Sequence, residues 1–384
     1  MIPYGRQEIT QADIDAVVDV LRSDFLTQGP AVPRFERALA ERTGARHVAA
    51  VNSATSALHI ACLALGLSPG DRLWTVPNTF VASANCARYC GADVDFVDID
   101  RETWNMSTAR LSDKLVAAKR AGTLPKIVVP VHFGGQPTEQ EAIAELAREF
   151  GFHVIEDASH AIGASRYEEP VGSCRWSSIT IFSFHPVKIV TTGEGGAALT
   201  NDPEVAARLE VLRTHGITRS PERLLLKNPP PWYYEQQTLG YNYRMTDIQA
   251  CLGTSQITRL EAYVARRNEI ASRYDADLRA LPVQLPSVQQ GNRSAFHLYV
   301  IRLQRSRIKH THRQVFEALR AKGIGVNLHY TPVHLQPYYR ELGFGPGQFP
   351  EAESYADEAI SLPMYPTLTD EQQQRVVEAL RSVL

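Results

Sequence analysis

Two residues that could act together in catalysis, Asp157 and Lys188, each follow an apolar run of the kind that forms a buried strand. Asp157 comes after Phe152–Ile155, and Lys188 comes after Ile179–Phe184 by way of Pro186, which cannot continue a sheet ladder. Ligands of open α/β sheets bind beyond the carboxyl ends of the strands. We therefore expect the acid and the lysine to face one pocket at the rim of a sheet.

A carboxylate and a lysine in one pocket are the two groups that pyridoxal phosphate (PLP) requires. A lysine holds this cofactor as a Schiff base, and a carboxylate beside the ring nitrogen keeps that nitrogen protonated, so that the ring accepts electrons. A lysine freed from the cofactor can act as a general acid and base. Considered alone, each residue has a simpler interpretation: Asp157 as an ordinary acid at a strand end, and Lys188 as a solvated surface cation. The prediction of a cofactor site therefore depends on their pairing.

A place for the cofactor's phosphate is indicated by residues 48–58. Val48–Val51 predicts a strand, and Asn52–Leu58 predicts a tight turn and the start of a helix, whose free amides and dipole attract phosphate. The same residues serve equally well as a simple helix cap. Ser183 is either a second phosphate donor or a polar residue at a strand end, and Phe80 either stacks on a ring or packs in the core.

The pattern of strands and helices that must position these residues predicts an α/β fold with a mostly parallel sheet. Apolar runs at residues 73–76, 94–97 and 127–131 join those above, and helix-like segments such as 138–150 separate them. A first helix is expected after Thr10, which forms a capping box with Asp13 ahead of an apolar helical stripe.

Two domains are expected from the length and from the change of pattern along the chain. At about 150 residues per domain, a chain of 384 residues allows two or three. Residues 217–242, with three consecutive prolines, interrupt the alternation, and residues 245–281 predict one long helix. We place a large cofactor-binding domain at residues 10–255 and a smaller α/β domain at residues 256–384, with residues 1–9 packing near the smaller one.

Composition and motifs disfavour several other classes of protein. Lys and Arg number 40 against 42 Asp and Glu, so bulk charge gives no reason to expect nucleic-acid binding. We expect no membrane span, no signal core and, from five cysteines without a C-x-x-C pair, neither a disulfide framework nor a metal site. A reducing cytoplasm is the simplest location. The G-x-G-x-x-G, P-loop and G-x-S-x-G fingerprints are absent.

Seven segments together make the chain resemble the sugar aminotransferases of the DegT and StrS type, which are PLP enzymes of fold type I. The resemblance extends over nearly the whole chain, and the motifs are weak singly but highly specific together. The segments are residues 26–30 (Leu-Thr-Gln-Gly-Pro), 52–58 (Asn-Ser-Ala-Thr-Ser-Ala-Leu), 79–82 (Thr-Phe-Val-Ala), 156–161 (Glu-Asp-Ala-Ser-His-Ala), 183–188 (Ser-Phe-His-Pro-Val-Lys), 193–196 (Gly-Glu-Gly-Gly) and 240–245 (Gly-Tyr-Asn-Tyr-Arg-Met).

The resemblance implies roles for residues around the cofactor's ring. Lys188 is then the Schiff-base lysine, Asp157 the partner of the ring nitrogen and Phe80 a stacking residue on the ring. His160 is expected to contact the ring oxygen, although many members of the family have Gln at its position.

The resemblance also implies how the phosphate is held. Ala54, Thr55 and Ser183 match the family's phosphate cup. Asn242 matches a residue that the neighbouring subunit donates to the phosphate, so we expect a homodimer with shared active sites.

Within the family, the sequence is similar to the branch of C4 aminotransferases of the pseudaminic acid pathway, through residues 157–160, 183–188, 214–217 and 232–235. That similarity implies a UDP-linked 4-keto-6-deoxy-2-acetamido sugar as acceptor, L-glutamate as amino donor and UDP-4-amino-4,6-dideoxy-N-acetyl-β-L-altrosamine as product. The positions expected to contact substrate, which could equally pack between the two domains, are Tyr4, Leu26, Thr27, His329 and Tyr330.

Three other functions are weighed against this one. Relatives that dehydrate at sugar C3 have histidine in place of the lysine, which Lys188 argues against. A non-catalytic, PLP-binding regulatory protein on the same fold is possible in principle, but Asp157, Ser183 and Lys188 together disfavour it. A different nucleotide-linked 4-keto sugar, of the bacillosamine, perosamine or 4-amino-arabinose type, stays open, because one hydroxyl epimer changes binding by only ~1–3 kcal/mol in a permissive pocket.

Overall fold

A computed structural model describes residues 1–384, which form fifteen strands and thirteen α-helices. The strands are β1 (His47–Val51), β2 (Arg72–Thr75), β3 (Asp93–Phe96), β4 (Ile127–Val128), β5 (His153–Asp157), β6 (Ser165–Arg166), β7 (Glu169–Pro170), β8 (Ile179–Ser183), β9 (Gly196–Thr200), β10 (Ile217–Thr218), β11 (Glu235–Gln236), β12 (Val283–Gln284), β13 (Asn292–Arg293), β14 (Tyr299–Leu303) and β15 (Ala359–Leu362). The helices are α1 (Gln11–Leu21), α2 (Ala31–Thr43), α3 (Ala54–Ala64), α4 (Ala82–Tyr89), α5 (Thr108–Ala121), α6 (Gln140–Phe150), α7 (Pro203–Arg213), α8 (Asp247–Ile257), α9 (Leu260–Leu278), α10 (His312–Ala321), α11 (Pro337–Glu341), α12 (Pro350–Ala356) and α13 (Asp370–Arg381).

The central sheet has seven strands in the order β1-β9-β8-β5-β4-β2-β3. Neighbours from β8 to β3 are parallel, whereas β9 runs antiparallel to both β8 and β1. The predicted α/β class with a mostly parallel sheet is therefore confirmed. The apolar run predicted at residues 127–131 contributes only the two-residue strand β4.

The prediction of one long helix over residues 245–281 is wrong, because the chain breaks between α8 and α9 at Thr258 and Arg259. The Thr258 hydroxyl donates to the Ser255 carbonyl at 2.6 Å, within the last turn of α8. Arg259 Nη2 donates to both oxygens of the buried Asp13 carboxylate, at 2.8 and 2.7 Å. Asp13 lies on α1, so a contact distant in sequence fixes the break.

The apolar core consists of four buried clusters, and α9 takes part in two of them. Tyr263 and Val264 belong to a cluster that includes residues of α1, α2 and α8, whereas Ile270 and Tyr274 pack with β14, β15, α10 and α13. Ile2 belongs to the latter cluster and forms a bridge with Ile324. Residue 255, where we place the domain boundary, lies inside α8, and the division itself stays a prediction.

The first helix forms as predicted, with Thr10 and Asp13 in a capping box. Its apolar stripe is only partly covered by this chain, since Ile14 is 47% and Leu21 55% exposed. No helix is both long and apolar enough to span a bilayer. All five cysteines are buried and unpaired.

Candidate active site

The carboxyl ends of three strands meet at one edge of the central sheet. Val51 at the end of β1 and Ser183 at the end of β8 both pair with Gly196, and Asp157 at the end of β5 pairs with Ile181 of β8. Because β1, β5 and β8 run in the same direction, this register brings the turn after Val51, Ser183 and Asp157 together, at the edge where ligands bind in such sheets.

A cavity of about 490 Å³ opens at this edge, and most of the predicted site residues line it. The predicted residues in its wall are Tyr4, Ala54, Thr55, Phe80, Asp157, His160, Ser183, Lys188, His329 and Tyr330. Lys188 is the only lysine or arginine in the wall.

Three predicted site residues do not reach this cavity within one chain. Leu26 is 49% exposed, and Thr27 forms a bridge with Thr246. Asn242 forms a bridge with Thr214. The single chain therefore does not bring these three residues to Lys188.

The Asp157 carboxylate is buried and held by two donors. Its Oδ2 accepts from the Ser83 hydroxyl at 2.6 Å, and its Oδ1 accepts from the Ser159 amide at 3.1 Å. The hydrogen bond between Ser83 and Asp157 ties the start of α4 to the end of β5. The Ser83 hydroxyl also lies 2.8 Å from that of Thr79. The acid is thus fixed in direction before any ligand binds.

Lys188 has an unusually acidic ammonium group for a lysine. Desolvation in the cavity wall lowers the pKa of Lys188 to about 8, and the negative charge of Asp157 opposes that shift. An amine with a pKa near neutrality can both accept and return a proton at physiological pH.

Three buried histidines surround the lysine, and burial keeps them uncharged. Desolvation, with the nearby charge of Lys188, lowers the pKa of His160 well below its usual range and that of His329 to about 3. The pKa of His297 is also lowered well below its usual range by burial. The Gly134 amide donates to His160 Nδ1 at 3.3 Å, so the ring proton lies on Nε2, 3.2 Å from the Tyr330 hydroxyl.

The amino-terminal end of α3 offers amides to an anion. Ser53 caps the helix by accepting from the Ser56 amide at 3.1 Å, whereas the amides of Ala54 and Thr55 in the first turn have no intrahelical acceptor. A Cβ on Gly196 would come within 2.5 Å of the Ala54 nitrogen. The glycine therefore lets the start of β9 lie directly against this helix start.

These groups match the chemistry of PLP on three separate counts. The wall supplies an amine of lowered pKa, a buried and oriented carboxylate, and free helix amides beside the Ser183 hydroxyl. Phe80, 58% exposed, presents an aromatic ring to the same cavity. No group of three or more His, Cys, Asp or Glu side chains is arranged to hold a metal ion.

Comparison with known proteins agrees with this chemistry. The model of the DegT/DnrJ/EryC1/StrS aminotransferase family matches residues 7–381. The chain belongs to the DegT/DnrJ/EryC1/StrS aminotransferase family. It is therefore a PLP-dependent sugar aminotransferase.

Two relatives and one solved structure show how closely this aminotransferase follows known members. It is 37% identical over 386 residues to the spore coat polysaccharide biosynthesis protein SpsC of Bacillus subtilis, covering all of this chain and 97% of SpsC. It is also 37% identical over 385 residues to the UDP-4-amino-4,6-dideoxy-N-acetyl-β-L-altrosamine transaminase of Campylobacter jejuni, covering all of this chain and 98% of that protein. The sugar aminotransferase Spr1654 of Streptococcus pneumoniae, solved in PLP and PMP forms, superposes in its PLP form with a TM-score of 0.88 at 29% identity, over all of this chain and 98% of that one.

Several residues of the aminotransferase that line the cavity or hold its lining residues were not predicted from the sequence. Ser83 orients Asp157 from a helix 74 residues earlier in the chain. His297 and Asn327 line the cavity from segments with no motif of their own. The only signal for Ser83 was a polar residue in the first turn of a largely buried helix, and the sequence offered no local signal for His297.

Proposed function

We propose that the enzyme transfers the amino group of L-glutamate to C4 of a UDP-linked 4-keto-6-deoxy-2-acetamido sugar. The products are 2-oxoglutarate and UDP-4-amino-4,6-dideoxy-N-acetyl-β-L-altrosamine, an intermediate of pseudaminic acid biosynthesis. The observation that carries this proposal is the placing of Tyr4, His329 and Tyr330 in the wall of the Lys188 cavity. Full-length identity of 37% to a transaminase named for that product supports it.

We assign the cofactor to the residues already described. Lys188 would hold PLP covalently, Asp157 would pair with its ring nitrogen, and Ala54, Thr55 and Ser183 would hold its phosphate. When bound, PLP supplies an electron sink for the carbon that loses a proton.

Two further residues complete the assigned cofactor site. Phe80 would stack on one face of the ring, and His160, with its proton on Nε2, would reach the ring oxygen. Because burial keeps His160 uncharged, its contact is that of a neutral imidazole.

Lys188 is the group that moves the proton. Its pKa of about 8 leaves a fraction of the amine neutral at physiological pH, so Nζ can take a proton from glutamate Cα and deliver one to sugar C4. The face of C4 that Nζ approaches decides the configuration of the new amine. Tyr4 and His329, whose ring centroids lie 5.4 Å apart, would hold the sugar in that orientation.

We also propose that the active site is shared between two subunits in the cytoplasm. The wall of one chain offers a single lysine and no arginine to substrates that carry a diphosphate or two carboxylates. Asn242, Leu26 and Thr27 lie away from that wall, on surfaces that a second copy could bring to it. Five unpaired cysteines are compatible with a reducing compartment.

A mixture of two inactive variants tests the sharing of sites. Lys188→Ala and Asn242→Ala subunits, unfolded and refolded together, form hybrid dimers. If Asn242 serves the neighbouring subunit, each hybrid has one intact site and recovers activity that neither parent shows. Hybrids as inactive as their parents would assign Asn242 to its own chain.

A second candidate is C4 amination of a different nucleotide-linked 4-keto sugar. The equal identity to SpsC, a protein of spore coat polysaccharide biosynthesis, is the observation that favours it. Lys188 and Asp157 would play the same roles with either sugar, because the shape of the pocket around the hexose decides which sugar fits.

One experiment separates the two candidates. The visible absorbance band of the bound cofactor is followed on adding L-glutamate, and UDP-linked 4-keto sugars of the L-arabino and D-xylo series are then tested for restoring it. Restoration by the L-arabino sugar alone, with the altrosamine product identified by NMR, supports the proposal. Better restoration by the D-xylo sugar would favour the second candidate, and no response to glutamate would contradict both.

A further inference from the structure

Arg267 is a buried cation without an acidic partner. It lies on α9, is 1% exposed, and its Nη1 donates to the carbonyl oxygens of Phe296 at 3.1 Å, His297 at 3.3 Å and Met364 at 3.0 Å. Its Nε has no partner. Burying an uncompensated guanidinium is costly, so the three carbonyls point to a task that a neutral side chain would not perform.

Two of the carbonyls belong to residues 294–298, here called the His297 segment. Phe296 within it has a φ of 42°, a left-handed conformation that a bulky residue keeps only when its surroundings hold it. The segment is clamped from both sides. Asn268, next to Arg267 on α9, donates to the Ser294 carbonyl at 3.0 Å, and the segment's own amides donate to the carbonyls of Gly135 and Gly134 at 2.9 and 3.1 Å.

The His297 segment places an imidazole against the proposed cofactor contact. The ring centroids of His297 and His160 lie 4.5 Å apart, at an interplanar angle of 43°. Both rings line the cavity, and the Gly134 amide donates to His160 Nδ1 from the same turn that holds the His297 segment. The position of His160 therefore depends on the segment that Arg267 anchors.

The third carbonyl leads to another segment of the cavity wall. The Met364 amide donates to the Tyr4 carbonyl at 2.9 Å, so the contact between Arg267 and Met364 fixes the backbone that carries Tyr4. Tyr4 lies in the wall beside His329. One guanidinium thus ties α9 to two separate segments of the site.

We propose that Arg267 is a positioning residue, which holds His297 against His160 and fixes, through Met364, the backbone that carries Tyr4. It touches neither substrate nor cofactor, and it acts through the backbone carbonyls that it binds. The proposal rests on the roles assigned to His160 and Tyr4 under the proposed function, but it does not depend on which sugar is aminated.

Substitution of Arg267 on the PLP-loaded enzyme tests the proposal. Arg267→Met removes every donor, whereas Arg267→Lys keeps one ammonium group for the same carbonyls. Arg266→Met is the matched control, because Arg266 also lies on α9 but contacts the Leu368 carbonyl and Asp370 nearer the surface. The readouts are the visible circular dichroism of bound PLP, the rate of the glutamate half-reaction and thermal unfolding.

We expect Arg267→Met to lose most of the visible circular dichroism and to slow the half-reaction by about tenfold to a hundredfold, as displaced catalytic groups do. Arg267→Lys should recover most of both, and Arg266→Met should keep both. A lowered melting temperature with unchanged dichroism and rate would overturn the proposal. The glutamate half-reaction needs no sugar, so a wild-type enzyme that lacks it would contradict the proposed function instead.

His297→Ala keeps the test decisive if Arg267→Met does not fold. This variant removes the imidazole but leaves the backbone carbonyl that Arg267 binds. We expect the same loss of dichroism and rate, with His297→Phe recovering part of both through its ring. Wild-type dichroism and rate in His297→Ala would refute the proposed link to His160.

Discussion

The reactivity of Lys188 in the cofactor-free protein is expected to differ sharply from that of an ordinary lysine. Its pKa of about 8 arises because the cavity wall desolvates the ammonium more than Asp157 stabilises it. At pH 7, an amine of pKa 8 is about 10% neutral, whereas one of pKa 10.5 is about 0.03% neutral. The neutral, reactive fraction of Lys188 should therefore be about 300 times that of an unperturbed amine, so Lys188 should react faster with an acylating reagent than an equally accessible ordinary lysine.

Competitive labelling measures this directly. The apoprotein is treated with trace acetic anhydride between pH 6 and 11, and labelling at Lys188 is quantified by mass spectrometry relative to the exposed Lys322. We expect a midpoint near 8 for Lys188. Asp157→Asn should move that midpoint downward, because the charge that favours the ammonium form has been removed.

Two results would refute this reasoning. A Lys188 midpoint near 10.5 would show that the cavity does not desolvate the amine. An upward shift in Asp157→Asn would show that Asp157 does not stabilise the ammonium. Asn201→Ala, a change on the loop after β9 that leaves the cavity wall intact, serves as the control for nonspecific effects.

Three other predictions concern the same site. Lys188→Ala should still bind PLP but lose at least the ~10²–10⁴-fold that a general acid–base group contributes, so normal turnover would remove the lysine from its role. Gly196→Ala, whose Cβ would lie 2.5 Å from the Ala54 nitrogen, should weaken PLP binding roughly tenfold or more, about 1.4 kcal/mol. Equilibrium dialysis measures this affinity, and an unchanged value would mean that the start of α3 does not hold the phosphate. Ser83→Ala, which removes the 2.6 Å hydrogen bond to Asp157, should lower the free energy of unfolding of the apoprotein by ~1.5–3 kcal/mol, as measured by urea denaturation. It should also slow the glutamate half-reaction, and a variant that loses only stability would make Ser83 a structural residue.

The parts of the site that lie at strand ends were predictable, because their position follows from local patterns. A short apolar run is typical of a strand that is buried on both faces, and parallel strands end at one edge of the sheet. Asp157 and Ser183 therefore meet near Lys188 without any knowledge of distant contacts. The turn into α3 follows for the same reason.

The parts that the sequence did not predict depend on contacts between distant segments. The break between α8 and α9 results from Arg259 binding Asp13, and no local pattern near residue 258 signals it. His297 reaches the cavity only because Arg267 and the turn at Gly134 hold a strained segment in place. The one-chain cavity also leaves out Asn242, whose proposed contribution requires a second subunit.

The charge states of the residues that line the cavity support the proposed role of Lys188 in proton transfer. His160 and His329 remain neutral near pH 7, because burial lowers their pKa values, and burial raises the pKa of Tyr330 far above its usual range. Lys188, by contrast, has a pKa near the working pH. In the proposed mechanism, Nζ itself takes the proton in one half-reaction and delivers a proton to sugar C4 in the other, without passing either to His160 or His329. A protonated His160 would instead compete for that role and place a second cation beside Lys188, and the desolvated wall that Arg267 helps to assemble prevents this.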